Sequence, residues 1–235
     1  MQIDHETAVM VCAGPSLDRL AHAAWAEISL AGAVVAVNGA LVAVCCLENR
    51  VRFTHAAAMT SGQHMEDFAR GFLAAWESTP AWRLTKSADR DLVAAETYVD
   101  RHLDWTDDPN GGFFGGSSSM STANWLHNDW PDDETSRRDL LALSARTGKP
   151  IPRRVFRKFV YVGLDMVPGQ GGHAAGAGVH ASGFTSAPDR DVRHRQNWKR
   201  FCDEARRRGS EVLNLSPGTG LMEMPHREPP FHWLR

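Results

Sequence analysis

Residues 7–38 constrain the chain more than any other stretch. Thr7–Cys12 (TAVMVC) is a short apolar run bounded by turn chemistry, the pattern of a buried strand. It leads into Ala13-Gly14-Pro15-Ser16-Leu17, then into a helical stretch from about Asp18 to Leu30. A second apolar run, Ala33–Asn38 (AVVAVN), follows Ala31-Gly32. Strand, glycine turn, helix and strand in so short a span form a βαβ unit, which implies a parallel sheet and a right-handed crossover. Further strands are expected at Arg52–His55, Ala81–Leu84, Phe159–Leu164 and Glu211–Leu215. Helices are expected at Gly62–Trp76, Ser119–His127 and Val192–Arg208. In the last of these, Trp198, Phe201, Cys202 and Ala205 share one face, and Gly209 stands where a C-terminal cap belongs. The alternation predicts an α/β protein: a single Rossmann-like domain over 1–235 with a mostly parallel sheet.

Composition narrows the alternatives. With 43% hydrophobic and 23% charged residues over 235 positions, the chain has ordinary globular usage, which excludes collagen, coiled coil and wholesale disorder. The longest apolar stretch, Ala31–Leu47, is interrupted by Gly32, Asn38 and Gly39, so no membrane span is expected. Asp4, His5 and Glu6 stand where a signal peptide needs a basic and then an apolar run, and the expectation is a soluble, cytoplasmic protein. Cys12, Cys45, Cys46 and Cys202 have no zinc-ligand spacing and suit small buried thiols. The net charge of -2 conceals a division: residues 1–150 carry 12 basic and 20 acidic side chains, residues 151–235 carry 14 and 8. Such asymmetry marks either solvated helix faces or a surface for an anionic partner.

Two segments depart from the strand–helix rhythm. Thr106–Met120 is turn-rich and contains Gly115-Gly116-Ser117-Ser118-Ser119. Gly169–Gly178 has glycine at 169, 171, 172, 176 and 178, and a lid is expected at about 166–192.

Ligands of open α/β sheets bind outside the carboxyl ends of the strands, so residues just after strands are the candidates. Gly14-Pro15-Ser16 follows the first strand. Its N–H groups and the Ser16 hydroxyl suit either a phosphate or a structural turn with its own cap. It is neither a GxGxxG fingerprint nor a Walker A loop. Asn38 ends the second strand, where an amide can read a sugar or base or make a turn. Ser117, Ser118 and Ser119 precede a helix and offer N–H and hydroxyl donors to an anion. Asp165 ends the strand in VYVGLDM, where a carboxylate can accept sugar hydroxyls or hold its own loop. His173 and His180 on the glycine-rich segment, and His194 near the late helix, are candidate bases. Asp107-Asp108 and Asp132-Asp133 suit solvation better than Mg²⁺. No GxSxG elbow or ordered serine, histidine and acid set supports nucleophilic catalysis.

The ordered set VCAGPSLDRL, AVVAVNGA, GGSSSMSTANWL, VYVGLDM and EVLNLSPGTGL resembles bacterial sialyltransferases that decorate lipooligosaccharide. It also resembles the related MptE-like proteins, which include archaeal 6-hydroxymethylpterin diphosphokinases; phage genomes carry relatives of this type. The resemblance implies a Rossmann-like domain with a lid that binds a nucleotide or nucleotide-sugar, without a metal in the sialyltransferase branch. It implies that Gly14, Pro15, Ser16 and Asn38 hold the nucleotide part of the donor, and that Ser117, Ser118 and Ser119 hold its base and phosphate. It further implies a catalytic histidine just before the late helix, for which His194 is nearest. The family's lid tyrosines have no counterpart, since Tyr98 and Tyr161 are the only tyrosines.

Three activities are therefore in view. The first is glycosyl transfer from a nucleotide-activated donor, with His194, His180 or His173 as base and no cofactor beyond the donor. Arg193, Arg195 and Lys199 would face an anionic acceptor such as modified DNA. The second is a Mg²⁺-dependent pyrophosphokinase of the pterin type, with Asp165 or the loop carboxylates as its ligands. The third is a non-catalytic nucleotide-binding module. An oligomer is compatible with each.

Overall fold

The first strand forms where valine and methionine are packed on both sides: β1, Thr7–Val11, is buried at every residue. The computed structural model describes residues 2–46, 51–58, 66, 69–86, 101–103, 117–127, 138, 141–142, 144–146, 148, 156–165 and 188–235. After β1 come a 3-10 turn over Pro15–Arg19, α1 (His22–Ile28), β2 (Ala33–Val37) and α2 (Ala40–Cys46). Then follow β3 (His55–Ala58), α3 (Phe72–Ser78), β4 (Trp82–Lys86) and β5 (Arg101–Leu103). The remainder is α4 (Ser118–His127), β6 (Lys158–Val162), α5 (Pro188–Arg207) and β7 (Glu211–Asn214). Among the described residues these strands make one sheet of seven in the order β5-β4-β3-β2-β1-β6-β7. Every neighbouring pair is parallel. The molecule is an α/β protein of Rossmann-like architecture.

Strand alternation divides the core in two. On one face Val9, Val11, Val34, Ala36, Ala56, Ala58, Val160 and Val162 meet α1, α2 and α3. On the other, Met10, Cys12, Val35, Ala57, Phe159 and Tyr161 meet α4 and α5. Trp198, Phe201, Cys202 and Ala205 of α5 are all buried, as their spacing requires, and Gly209 ends the helix at φ 74°. Among the described residues no helix is long and apolar enough to cross a membrane. Cys12 and Cys202 are buried free thiols.

Three expectations shift, and one helix was not foreseen. The helix expected from Asp18 to Leu30 is broken at Leu20, which is extended and forms an antiparallel bridge with Leu234. A tertiary pairing overrides local helix preference there. The strand expected at Arg52–His55 begins only at His55 and continues through Ala58, because an alanine run carries little strand signal. The helix expected over Gly62–Trp76 is described from Phe72 to Ser78; most of 62–68 lies outside the described residues. α2 was hidden inside an apolar stretch whose residues 40–44 are all buried, so no amphipathic period announces it.

The end of the chain returns to its beginning. Ala21 N donates to Trp233 O at 2.6 Å and Arg235 N to Arg19 O at 3.0 Å. His232 Nε2 lies 2.5 Å from Glu27 Oε1, and Trp233 is buried in the α1-side core.

Three buried polar side chains sit within these layers. Tyr161 is flanked by Trp198 and Phe201 in edge-to-face contacts at 5.2 and 6.5 Å, and among the described residues its hydroxyl has no hydrogen-bond partner. Removing an unsatisfied buried hydroxyl is favourable, so Tyr161→Phe is expected to stabilise the fold by about 1 kcal/mol. A urea midpoint below that of the parent chain would contradict this. His55 on β3 packs edge-on against Trp125 at 5.3 Å, and burial lowers its pKa to about 3. His127 ends α4 beside Arg157, with Nδ1 2.6 Å from Nη1, and 3.0 Å from Ser210 Oγ. Burial first, then the Arg157 and Arg208 charges, lower its pKa to about 4.

Candidate functional site

From β1 the chain moves out toward β2, and from β6 it moves the other way toward β7. The carboxyl ends of β1 and β6 therefore bound the crevice at the topological switch point, the place where open α/β sheets take ligands. The pairing continues past the strand ends: Cys12 N donates to Val162 O and Gly14 N to Gly163 O, both at 2.8 Å. Gly14 is extended, at φ -71° and ψ 155°, so its identity answers to space rather than to backbone conformation. A Cβ there would stand 2.4 Å from Gly163 O and 2.5 Å from Asp165 Oδ2.

The cause of that crowding is Asp165. Its Oδ2 accepts the Ser16 N–H at 2.7 Å, and its Oδ1 accepts the Ser16 hydroxyl. The donors that the sequence offers to a phosphate thus meet an internal carboxylate, with Pro15 opening the 3-10 turn between them. Burial pushes the Asp165 carboxyl up, while the Ser16 bonds and the Arg19 charge pull it back; the balance is raised.

A second set of residues fixes the Asp165 backbone, and sequence reasoning missed it. The Asn214 amide donates to Leu164 O at 3.0 Å and accepts from Ser216 N at 2.9 Å. The Ser216 hydroxyl accepts from Leu164 N at 2.7 Å. Thr219 Oγ1 donates toward Leu164 O and Asp165 O at 2.8 and 2.9 Å, and Gly220 N donates to Asp165 O at 2.7 Å. The signal was present in Asn214-Leu215-Ser216-Pro217-Gly218-Thr219-Gly220, a polar turn directly after a strand. We expect Thr219→Val, which keeps the shape and removes these bonds, to cost about 1–3 kcal/mol, read as a lower melting temperature.

The serine-rich motif opens α4. Ser117 caps it: Met120 N donates to Ser117 Oγ at 3.3 Å and Ser121 N to Ser117 O at 2.9 Å, while Ser117 Oγ meets Ser119 Oγ at 3.0 Å. Helix geometry leaves the Ser118 and Ser119 N–H groups without internal partners. Ser118 and Ser121 are buried, and their hydroxyls have no partner among the described residues. Cys12, just after β1, and Met120 of α4 belong to the same buried cluster. Burial, reinforced by the Asp165 charge, pushes the Cys12 thiol up to about 12, so Cys12 is no nucleophile.

Asn38, at the end of β2, adopts the left-handed conformation at φ 53°. Its N–H donates to Ala57 O at 2.7 Å, and its carbonyl accepts Leu41 N at 3.2 Å, turning the chain from β2 into α2. Arg195 donates to Gly220 O at 2.6 Å and pairs with Glu223 at 3.1 Å. Lys199 pairs with Asp203 at 2.6 Å. Arg193 and His194 belong to α5, and their side chains lie outside what is described. His173, His180, Gly115, Gly116, Asp107-Asp108, Asp132-Asp133 and the expected lid as far as 187 also lie outside the described residues; Pro188 already begins α5. The structure thus brings Gly14, Pro15, Ser16 and Asp165 together, while Ser117–Ser119 open α4.

Among the described residues no three His, Cys, Asp or Glu side chains are grouped to hold a metal ion. A groove of about 400 Å³ between Cys202, Arg206, Ser210, Val212 and Pro225 runs beside β7; its lining shares no residue with the crevice, and the crevice alone has the switch-point position. No family model, curated protein or solved structure matches the chain.

Proposed function

We propose that the chain is a glycosyltransferase that moves a sugar from a nucleotide-activated donor to an acceptor hydroxyl. The observation that carries this reading is the start of α4, a helix packed on the sheet face that carries Cys12. There the Ser118 and Ser119 N–H groups lie beside a buried Ser118 hydroxyl with no partner among the described residues. Such a cradle stabilises the negative charge of a departing phosphate, the main electrostatic task of the reaction. Asn38 would read the nucleoside. Gly14, Pro15, Ser16 and Asp165 form the floor on which it rests, and the Asp165 oxygens retain lone pairs for a sugar hydroxyl.

The acceptor proton needs a base. His194 is the first choice in this reading, with His180 and His173 after it. Its backbone immediately precedes Arg195, whose guanidinium reaches Gly220, and Gly220 in turn bonds Asp165. His194→Ala should lower turnover by roughly 100-fold or more while donor affinity stays within about twofold of the parent. Unchanged turnover would remove His194 from the role. An anionic acceptor, DNA included, would have to draw Arg195 and Lys199 away from Glu223 and Asp203. Affinity for duplex DNA that falls steeply from about 50 to about 200 mM salt would show that it does.

A thermal-shift panel of nucleosides, nucleotides and nucleotide-sugars tests the whole reading, because a ligand that binds only the folded state raises the melting temperature. A shift confined to one nucleobase series is expected. No shift with any nucleotide would overturn it. Transfer that survives a chelator supports the glycosyltransferase; transfer that requires Mg²⁺ points to the pyrophosphokinase.

A further inference from the structure

We infer that Arg19 is the cation that receives the phosphoryl group of the ligand, a role no motif assigned to it. The inference rests on the nucleotide reading above. Arg19 closes the turn that follows β1, three residues beyond Ser16. Its Nη1 reaches Pro217 O at 3.3 Å, which places the guanidinium against the 216–220 turn, whose Thr219 and Gly220 bind the Asp165 carbonyl. The same guanidinium is close enough to Asp165 to oppose the rise of its carboxyl. Arg19 therefore sits where the turn after β1 meets the turn after β7 that holds the Asp165 backbone.

Its pairing differs from that of five basic residues on and just after α5. Arg195, Lys199, Arg206, Arg207 and Arg208 each have a carboxylate partner. Among the described residues Arg19 has only one long bond to a neutral carbonyl, and most of its five donors remain unused. Its backbone is fixed nonetheless: Arg235 N donates to Arg19 O at 3.0 Å, and the next residue, Leu20, is bridged to Leu234. An exposed guanidinium on an anchored backbone, beside a crevice that buries the Asp165 carboxylate, suits a planar fork for phosphate oxygens. Without it, Asp165 would repel the same phosphate.

The test compares binding of the nucleosides cytidine, uridine, guanosine and adenosine with that of their 5′-mono- and diphosphates, by calorimetry, to the parent chain, Arg19→Gln and Arg19→Lys. For the preferred base, Arg19→Gln should weaken nucleotide binding at least about tenfold and leave nucleoside binding unchanged, with Arg19→Lys recovering part of the loss. Equal nucleotide affinity in Arg19→Gln and the parent would overturn the assignment, as would equal losses for nucleoside and nucleotide. A parent chain that binds neither would instead overturn the nucleotide reading, and the assignment with it.

Discussion

Gly163→Ala is expected to lower the melting temperature by roughly 8 °C or more, the equivalent of about 3 kcal/mol or above in a domain of this size. Two penalties combine. Gly163 is left-handed at φ 70°, which costs an L residue about 1 kcal/mol. The added Cβ would also lie 2.2 Å from Cys12 O and 2.7 Å from Leu17 Cγ. Cys12 cannot retreat easily, since its own N–H is bonded to Val162 O. Gly209→Ala separates the terms: φ is 74° there, but nothing lies within 4 Å of the added carbon, so only the conformational cost of about 1 kcal/mol should appear. Equal melting temperatures for the two variants would show that the β1 and β6 loops are not packed as described.

Acid is expected to have a comparably large effect. His55 and His127 titrate at about 3 and about 4 in the folded chain, against about 6.5 when unfolded. A depressed folded pKa means that the unfolded state binds more protons, so the stability is fully present above about pH 6.5 and is lost as pH falls toward 4 and then 3. Each histidine contributes a slope of about 1.4 kcal/mol per pH unit within its window. Near pH 5 the pair should therefore have removed about 4 kcal/mol. Urea midpoints from pH 7.5 to 5 read this directly, and His127→Gln should reduce the slope by about one proton. A flat profile would show that one of these rings is not neutral and buried.

The fold was largely legible because its signals are local. β1, the glycine-proline turn and β2 follow from two apolar runs and one turn chemistry, and α5 from a single face of Trp198, Phe201, Cys202 and Ala205. The break at Leu20 was not legible, since its cause is Leu234 at the far end of the chain. α2 failed for another reason: a helix buried all round has no polar face to reveal its period. At the site, the same division applies. The residues of the β1 and β6 loops were found by the rule that ligands meet strand ends. That Ser16 is engaged by Asp165 is a contact across 149 positions, and no spacing rule contains it. Asn214, Ser216 and Thr219 lay within a quoted motif, yet their targets are the backbone of Leu164 and Asp165, which only the register of β6 against β7 makes apparent.

The closing of Trp233 and Arg235 onto the turn after β1 has a consequence for folding. The residues that anchor Arg19 are among the most distant from it in sequence, so the turn after β1 is completed only by long-range contacts. The β1–β2 pairing can form early, but its neighbour β6 arrives only after residue 158, and the clasp on Arg19 after residue 233. Contacts so distant in sequence make for slow folding, and until then the apolar edge of β1 is open to misassociation. The turn after β1 is thus finished only when these most distant contacts have formed.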